Sequence, residues 1–222
     1  RDIHITEPNF IIAGETAPFP GITLFGAGIR VLASNGTLRH FRIRVGNESG
    51  TFLNIADALS INGKIDKPVE NIMIESMSLS WGTDQNAETW FPKINSSSVG
   101  GVKNITFNKV IFAEGLHLSG RVNASGYPRS HSHGLLISDG SKEITIMRSL
   151  FTNNHKRNPW VTDDSTVLIL NNLIANPGNQ VMTVAGAGFK GGEFTIIGNV
   201  IVPGYNTQKV VLGTDPAYPN SN

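Results

Sequence analysis

Cysteine is absent from all 222 residues, which excludes disulfides, thiolate metal sites and a cysteine nucleophile. Charge is sparse: Asp, Glu, Lys and Arg make up 16% of the chain, and 18 basic residues against 17 acidic ones leave a net charge of +1. That balance gives no general pull toward nucleic acid or an anionic membrane, and neither is expected as a partner. No run of about 18 apolar residues is present to span a bilayer, and no charged-then-apolar leader opens the chain. Aromatic residues supply only 8%. What is abundant is Gly, with 24 residues, together with Asn, Ser and Thr, a mixture that suits many short strands joined by turns. The length fits one all-β domain over 1–222, and the start at Arg1, directly before a strand-like His-Ile-Thr, reads as a piece of a longer chain.

Five segments align without gaps: IMIESMSL from Ile72, ITFNKVIF from Ile105, ITIMRSLF from Ile144, VLILNNLI from Val167 and FTIIGNVI from Phe194. Each is apolar at its first, third and eighth positions, while the sixth runs Met77, Val110, Ser149, Asn172, Asn199. A weaker sixth copy is LRHFRIRV from Leu38. Alternation, a two-residue phase break and renewed alternation describe two short strands meeting at a bend, and the Ile, Val, Thr and Phe content disfavours helix. Counting from Leu38, copies start 34, 33, 39, 23 and 27 residues apart, which is one coil of a parallel β-helix with loops inserted in the longer intervals. A β-sandwich with chance strand similarity is the competing architecture, but Asn-Gly hairpin signals occur only at Asn35 and Asn62. The repeat therefore predicts an all-β, right-handed, single-stranded parallel β-helix, with Asn172 and Asn199 in an inward amide ladder. Its long loops, Gly82 to Lys103 and Ser119 to Arg129, precede repeat copies and carry the unusual polar residues.

Three constellations stand out. In IESMSLSWGTDQN, Glu75 and Asp84 are carboxylates that adjacent coils could bring to one cation, with Glu114 in IFAEGL as the third candidate. Oxygen-only ligands favour Ca²⁺ over Zn²⁺; solvated turn residues are the plainer alternative. In RSHSHGLLISDG, Arg129, His131 and His133 lead into a strand, and the H-x-H spacing points both rings to one face, which favours polar, substrate-facing groups over a zinc site, since no further His or Cys lies nearby, or over a His packed on the groove wall. In FTNNHKRNPWV, Lys156 and Arg157 leave the end of a strand just before Asn-Pro-Trp160. A Pro at 159 suggests a chain held extended there. A guanidinium fork matches a carboxylate, so this segment suits contact with an acidic sugar, and a surface salt bridge is the other reading.

These residues resemble the pectate lyase family. IIAGETAPFPGITLFGAGIRV and RHFRIRVG are similar to its N-terminal coils, IESMSLSWGTDQN to its I-D-H-x-S-x-S-W-x-T-D-E-N, IFAEGL to its I-x-A-E-G-L, and NNHKRNPWV to its R-x-P signature. The likeness runs from about Ile5 to Asn176 with the motifs in the family's order. It implies a right-handed parallel β-helix and Ca²⁺-assisted β-elimination of a polygalacturonate-like chain by a secreted protein; a virion-surface location goes with the alternative below, and the repeat is the same in a monomer and a homotrimer. It further implies Arg157 as base, His133 at a substrate-facing lysine position, His131, Arg129, Lys156 and Trp160 as substrate contacts, and Glu75, Asp84 and Glu114 at calcium positions. The family's Asp-His is Glu75-Ser76 here, its Asp-Glu is Asp84-Gln85, its lysine is His133, and an arginine often found after R-x-P is Thr162. Fewer acidic charges imply weak Ca²⁺ binding. The alternative function is a non-catalytic carbohydrate-binding or structural β-helix module, such as part of a phage tail spike.

Overall fold

In the computed structural model the described residues are 2–47, 57–64, 66–91, 101–119, 131–184, 192–208 and 212–213. Every strand pairs in parallel, and three sheets of eight, seven and seven strands each draw one strand from every successive coil. The fourth coil, for example, contributes β10 (Gln85–Trp90) to the first sheet, β11 (Val102–Asn108) to the second and β12 (Ile111–Ala113) to the third. This is the right-handed parallel β-helix that the repeat predicts. The only helical turn among the described residues is Gly14–Thr16, and no helix there is long and apolar enough to cross a membrane.

The phase break has a simple backbone cause. From the second coil onward, the chain turns between the second and third sheets on one residue with positive φ, His40, Ser76, Lys109, Arg148 or Asn171, and then Gly198 at φ +65°. The next residue points inward, and it is the sixth repeat position. At Gly198 an added Cβ would meet Asn171 Oδ1 at 2.1 Å, so any larger residue at that corner would have to displace the Asn171 amide.

Register stacks like on like. Leu38, Ile74, Phe107, Ile146, Ile169 and Ile196 form one column, and in a neighbouring column Phe112 and Phe151 stack at 4.6 Å between ring centroids. Full burial of each side chain from Leu38 to Ile169 contributes about 1.5–3 kcal/mol, so the shaft is held by its interior columns, while Ile196 at the end of this one is partly exposed.

The copy aligned from Leu38 is corrected by two residues, because Gly36 pairs with Ile72 and Leu38 with Ile74. Gly36 escaped the apolar pattern for a steric reason: the Phe10 ring fills the place where its side chain would lie, at 2.0 Å from an ideal Cβ.

The amide ladder is present. Asn172 Oδ1 accepts the Ser149 backbone N–H and Asn172 Nδ2 donates to Ile146 O and to Asn199 Oδ1, each at 2.9 Å. Asn172→Ala would orphan a buried donor and a buried acceptor, at about 1–3 kcal/mol each. Urea unfolding should show a midpoint loss of that size; a change of about 0.5 kcal/mol or less, typical of surface sites, would remove the ladder from the stability account.

Candidate functional site

The loops that run from the third sheet back to the first gather the polar residues. Asp84 lies just before β10, and His131 and His133 lie at the start of β13 (His133–Ile137) in the next coil. Pairing of Gln85 with His133 sets their side chains together. His131 Nε2 is 3.4 Å and His133 Nδ1 3.6 Å from Asp84 Oδ1, and the two rings are 4.9 Å apart. Among the described residues these three alone form a group of metal-ligating side chains, with ligand atoms within 4.8 Å of one another.

His133 Nδ1 also lies 3.0 Å from Gln85 Oε1. Both groups facing Nδ1 are acceptors, which assigns the ring proton to Nδ1 and leaves Nε2 as an acceptor. Burial lowers the His133 pKa to about 3, with the positive charge of Arg157 and the neighbouring His131 adding to it and Asp84 opposing. The ring is therefore neutral at ordinary pH.

Arg157 completes the arrangement. Its Nη1 donates to Gln85 Oε1 at 2.5 Å, and its guanidinium lies 4.5 Å over the Trp160 ring. One amide oxygen thus receives both Arg157 and His133. Lys156 bridges in parallel to His133. The turn does not run extended as the proline suggests: residues 158 and 159 form a turn with a cis peptide bond.

A buried asparagine chain fixes this turn. Asn154 Nδ2 donates to Phe112 O and Asn158 Oδ1, Asn154 Oδ1 accepts from Asn86 Nδ2, and Asn158 Nδ2 donates to Gln180 O. Within the same turn, burial and the nearby His117 and Lys156 lower the His155 pKa to about 4 from its ordinary 6.5. Below 6.5 the unfolded chain takes a proton that the folded ring refuses, so this contribution to stability is present above that pH and is lost as pH falls toward about 4. Melting temperature measured from pH 7 to pH 4 should therefore fall more steeply in wild type than in His155→Gln; parallel curves would contradict the shift.

The acidic residues are arranged differently from the sequence expectation. Glu75 ends β8 (Val69–Glu75), at the corner before the third sheet, where its Oε1 accepts from Asn108 Nδ2. Asp84 follows the third sheet, so the two do not meet. Glu114 follows that sheet too, but its carboxylate accepts from Trp81 Nε1 and it is not in the Asp84 group. Arg129 lies outside the described residues.

Two residues that sequence reading passed over stand beside Asp84 instead. Asp57 Oδ1 accepts the Gln85 backbone N–H at 2.8 Å, and Glu88 Oε1 accepts from Ser60 Oγ at 2.6 Å. Asp57 and Glu88 also hydrogen-bond each other. Burial, then the charges of Glu88 and Asp84, push Asp57 well above the usual carboxylate range, and burial raises Glu88. The available signal was register: Ala87 pairs with Leu59, so Gln85 falls opposite Asp57 and Glu88 opposite Ser60.

Asp84 raises the pKa of both Asp57 and Glu88, so positive charge bound beside these carboxylates would relieve that repulsion through oxygen donors. The two histidines also lie against Asp84 and Gln85, His131 Nε2 facing Asp84 Oδ1 and His133 Nδ1 facing Gln85 Oε1.

No family model matches the chain. Among curated proteins it is 31% identical over 206 residues to a probable pectate lyase C of Aspergillus oryzae. It is 32% identical over 208 residues to one of Aspergillus terreus and 30% identical over 213 residues to one of Emericella nidulans. The alignments take in 91–93% of this chain and 41% of each relative, so the chain spans about two-fifths of the length of the proteins it matches. The chain thus joins a three-sheet parallel β-helix to a sequence likeness with these probable pectate lyases over nine-tenths of its own residues.

Proposed function

We propose that the protein is a polysaccharide lyase that cleaves an acidic, uronic-acid-containing glycan by β-elimination. The observation that carries this reading is Arg157 held by Gln85 and Trp160 beside three clustered carboxylates. A guanidine nitrogen and a cation-binding pocket are the two things a uronate needs at its reacting carbon, one to take the proton and the other to quiet the carboxylate.

In this reading the substrate's uronate carboxylate lies toward Asp57, Asp84 and Glu88, which would hold Ca²⁺. The cation supplies charge neutralisation that makes the proton at C5 more acidic. Arg157 accepts that proton on a guanidine nitrogen. The C5–H electron pair becomes the C4=C5 double bond, the C4–O bond breaks, and the leaving oxygen takes a proton from water. Because the accepting guanidine must be uncharged, the rate rises toward alkaline pH. His133 presents Nε2 as an acceptor for a sugar hydroxyl, and Lys156 and Trp160 line the approach as charge and stacking surface. Gln85 in place of an acid leaves one charge fewer, which favours weak Ca²⁺ binding. A polymer of this kind is met outside the cell, so the protein acts there.

The test is incubation with polygalacturonate, alginate and other acidic glycans, with and without Ca²⁺, following ultraviolet absorbance of the unsaturated uronate product. Calcium-dependent growth of that signal supports the proposal. Flat traces on every acidic glycan from neutral to alkaline pH would sink it, and binding without turnover would leave a carbohydrate-binding module.

A further inference from the structure

The same turn that carries Arg157 borders a second concavity. A cavity of ≈ 600 Å³ lies along the third-to-first-sheet corners of several successive coils. Asp84, His131, His133 and Arg157 are not among its lining residues. It falls within the roughly 300–1,000 Å³ of small-molecule sites.

Its chemistry differs from that of the candidate active site. Asn153, Asn176, Asn206 and Gln208 bring amides to it, and Tyr205 stands fully exposed among the lining residues. His117 and His155 line it too, with their rings edge to face at 4.7 Å. No lysine or arginine lines it, and its one carboxylate, Glu114, already accepts from Trp81. The cavity therefore has no permanent cation to answer a uronate's charge.

The Asn153 and Asn176 amides are held in place before any ligand arrives, and the backbone that carries Asn206 and Gln208 is tied to the coil. Asn176 Nδ2 donates to Asn153 Oδ1 at 2.7 Å and Asn176 Oδ1 accepts the Asn206 backbone N–H at 2.9 Å. The Gln208 backbone N–H reaches Gly178 O at 3.0 Å, which fastens the 204–208 segment to the coil. Amides on a tied backbone, two of them held by side-chain bonds, beside an exposed aromatic face match an uncharged sugar: hydroxyls meet donors and acceptors, and a C–H face meets the ring.

We propose that this cavity is a second carbohydrate site, which takes uncharged sugar units rather than uronates. It rests on the reading above only in that the ligand is a saccharide. The probes are galactotetraose, xylotetraose and maltotetraose, titrated into the full chain by calorimetry and saturation-transfer NMR, with tetragalacturonate as competitor. At least one uncharged probe should bind with a dissociation constant near the millimolar range, about −4 kcal/mol. Tyr205→Ala and Gln208→Ala should each weaken it about fivefold or more, the scale of one lost stacking or polar contact, and tetragalacturonate should leave it in place.

No binding of any uncharged probe, binding unchanged in both variants, or displacement by tetragalacturonate would each overturn the proposal. Both substitutions sit at the surface end of the cavity, and the elimination assay runs in parallel. A flat elimination trace with a clean sugar titration would sink the lyase reading alone.

Discussion

Arg157→Lys should lower turnover on the preferred acidic glycan by about 1000-fold while the melting temperature stays close to wild type, because a positioned proton acceptor is worth about 10²–10⁴ in rate. A lysine carries one nitrogen on a flexible stem. It cannot both donate to Gln85 Oε1 and lie flat over Trp160, as the planar guanidinium does. The fold has little reason to change, since the turn is pinned by Asn154 and Asn158 rather than by the guanidinium. An unchanged rate would remove Arg157 from the role of base. A matched loss of rate and melting temperature would assign it to holding the turn.

The second large effect concerns the carboxylates. Adding Ca²⁺ at about 100 times its dissociation constant should stabilise the folded state by about 2.7 kcal/mol. For a chain of this size that raises the melting temperature by about 5–10 °C. Asp57→Asn should erase most of that rise. The same substitution should also make the calcium-free protein more stable above the ordinary carboxylate range.

The sign follows from the shift. Asp57 has its folded pKa raised, chiefly by burial and then by Glu88 and Asp84. The folded state therefore holds the proton more tightly than the unfolded chain does, and stability falls as pH climbs from the ordinary carboxylate value through the raised one. An amide cannot ionise, so it avoids that loss, and its Oδ1 can still accept the Gln85 backbone N–H. Thermal melts of both proteins, with calcium and with chelator, provide the check. A calcium-free variant less stable than wild type, or an undiminished calcium response, would contradict the placement of the cation at these carboxylates.

Much of the shaft was legible before any coordinates. Alternation with a phase break at Met77, Val110, Ser149, Asn172 and Asn199 is a local signature, because the corner residue and the inward residue after it recur in every coil. The copy at Leu38 slipped by two for a non-local reason: Gly36 has no side chain to show, and the ring that replaces it comes from Phe10 in the preceding coil.

The candidate site divides in the same way. Asp84, His131, His133 and Arg157 were found because each sits in a run with an unusual composition, and the structure brings them together on one amide oxygen and one carboxylate. Glu75 was attractive for its motif, but it lies at the corner before the third sheet, and a strand of that sheet separates it from Asp84 in the chain. Asp57 and Glu88 were passed over because neither stands in a conspicuous motif.

Sequence by itself determined the coil and the inward ladder, because these follow from which residues alternate and recur along the chain. Tertiary structure alone decided which acids share a place. Residues 57, 84 and 88 meet through the parallel pairing of Ala87 with Leu59, and inter-coil register is set by stacking of whole turns whose inserted loops differ in length. No local pattern records that length, so the carboxylate cluster beside Arg157 exists only once the coils are stacked.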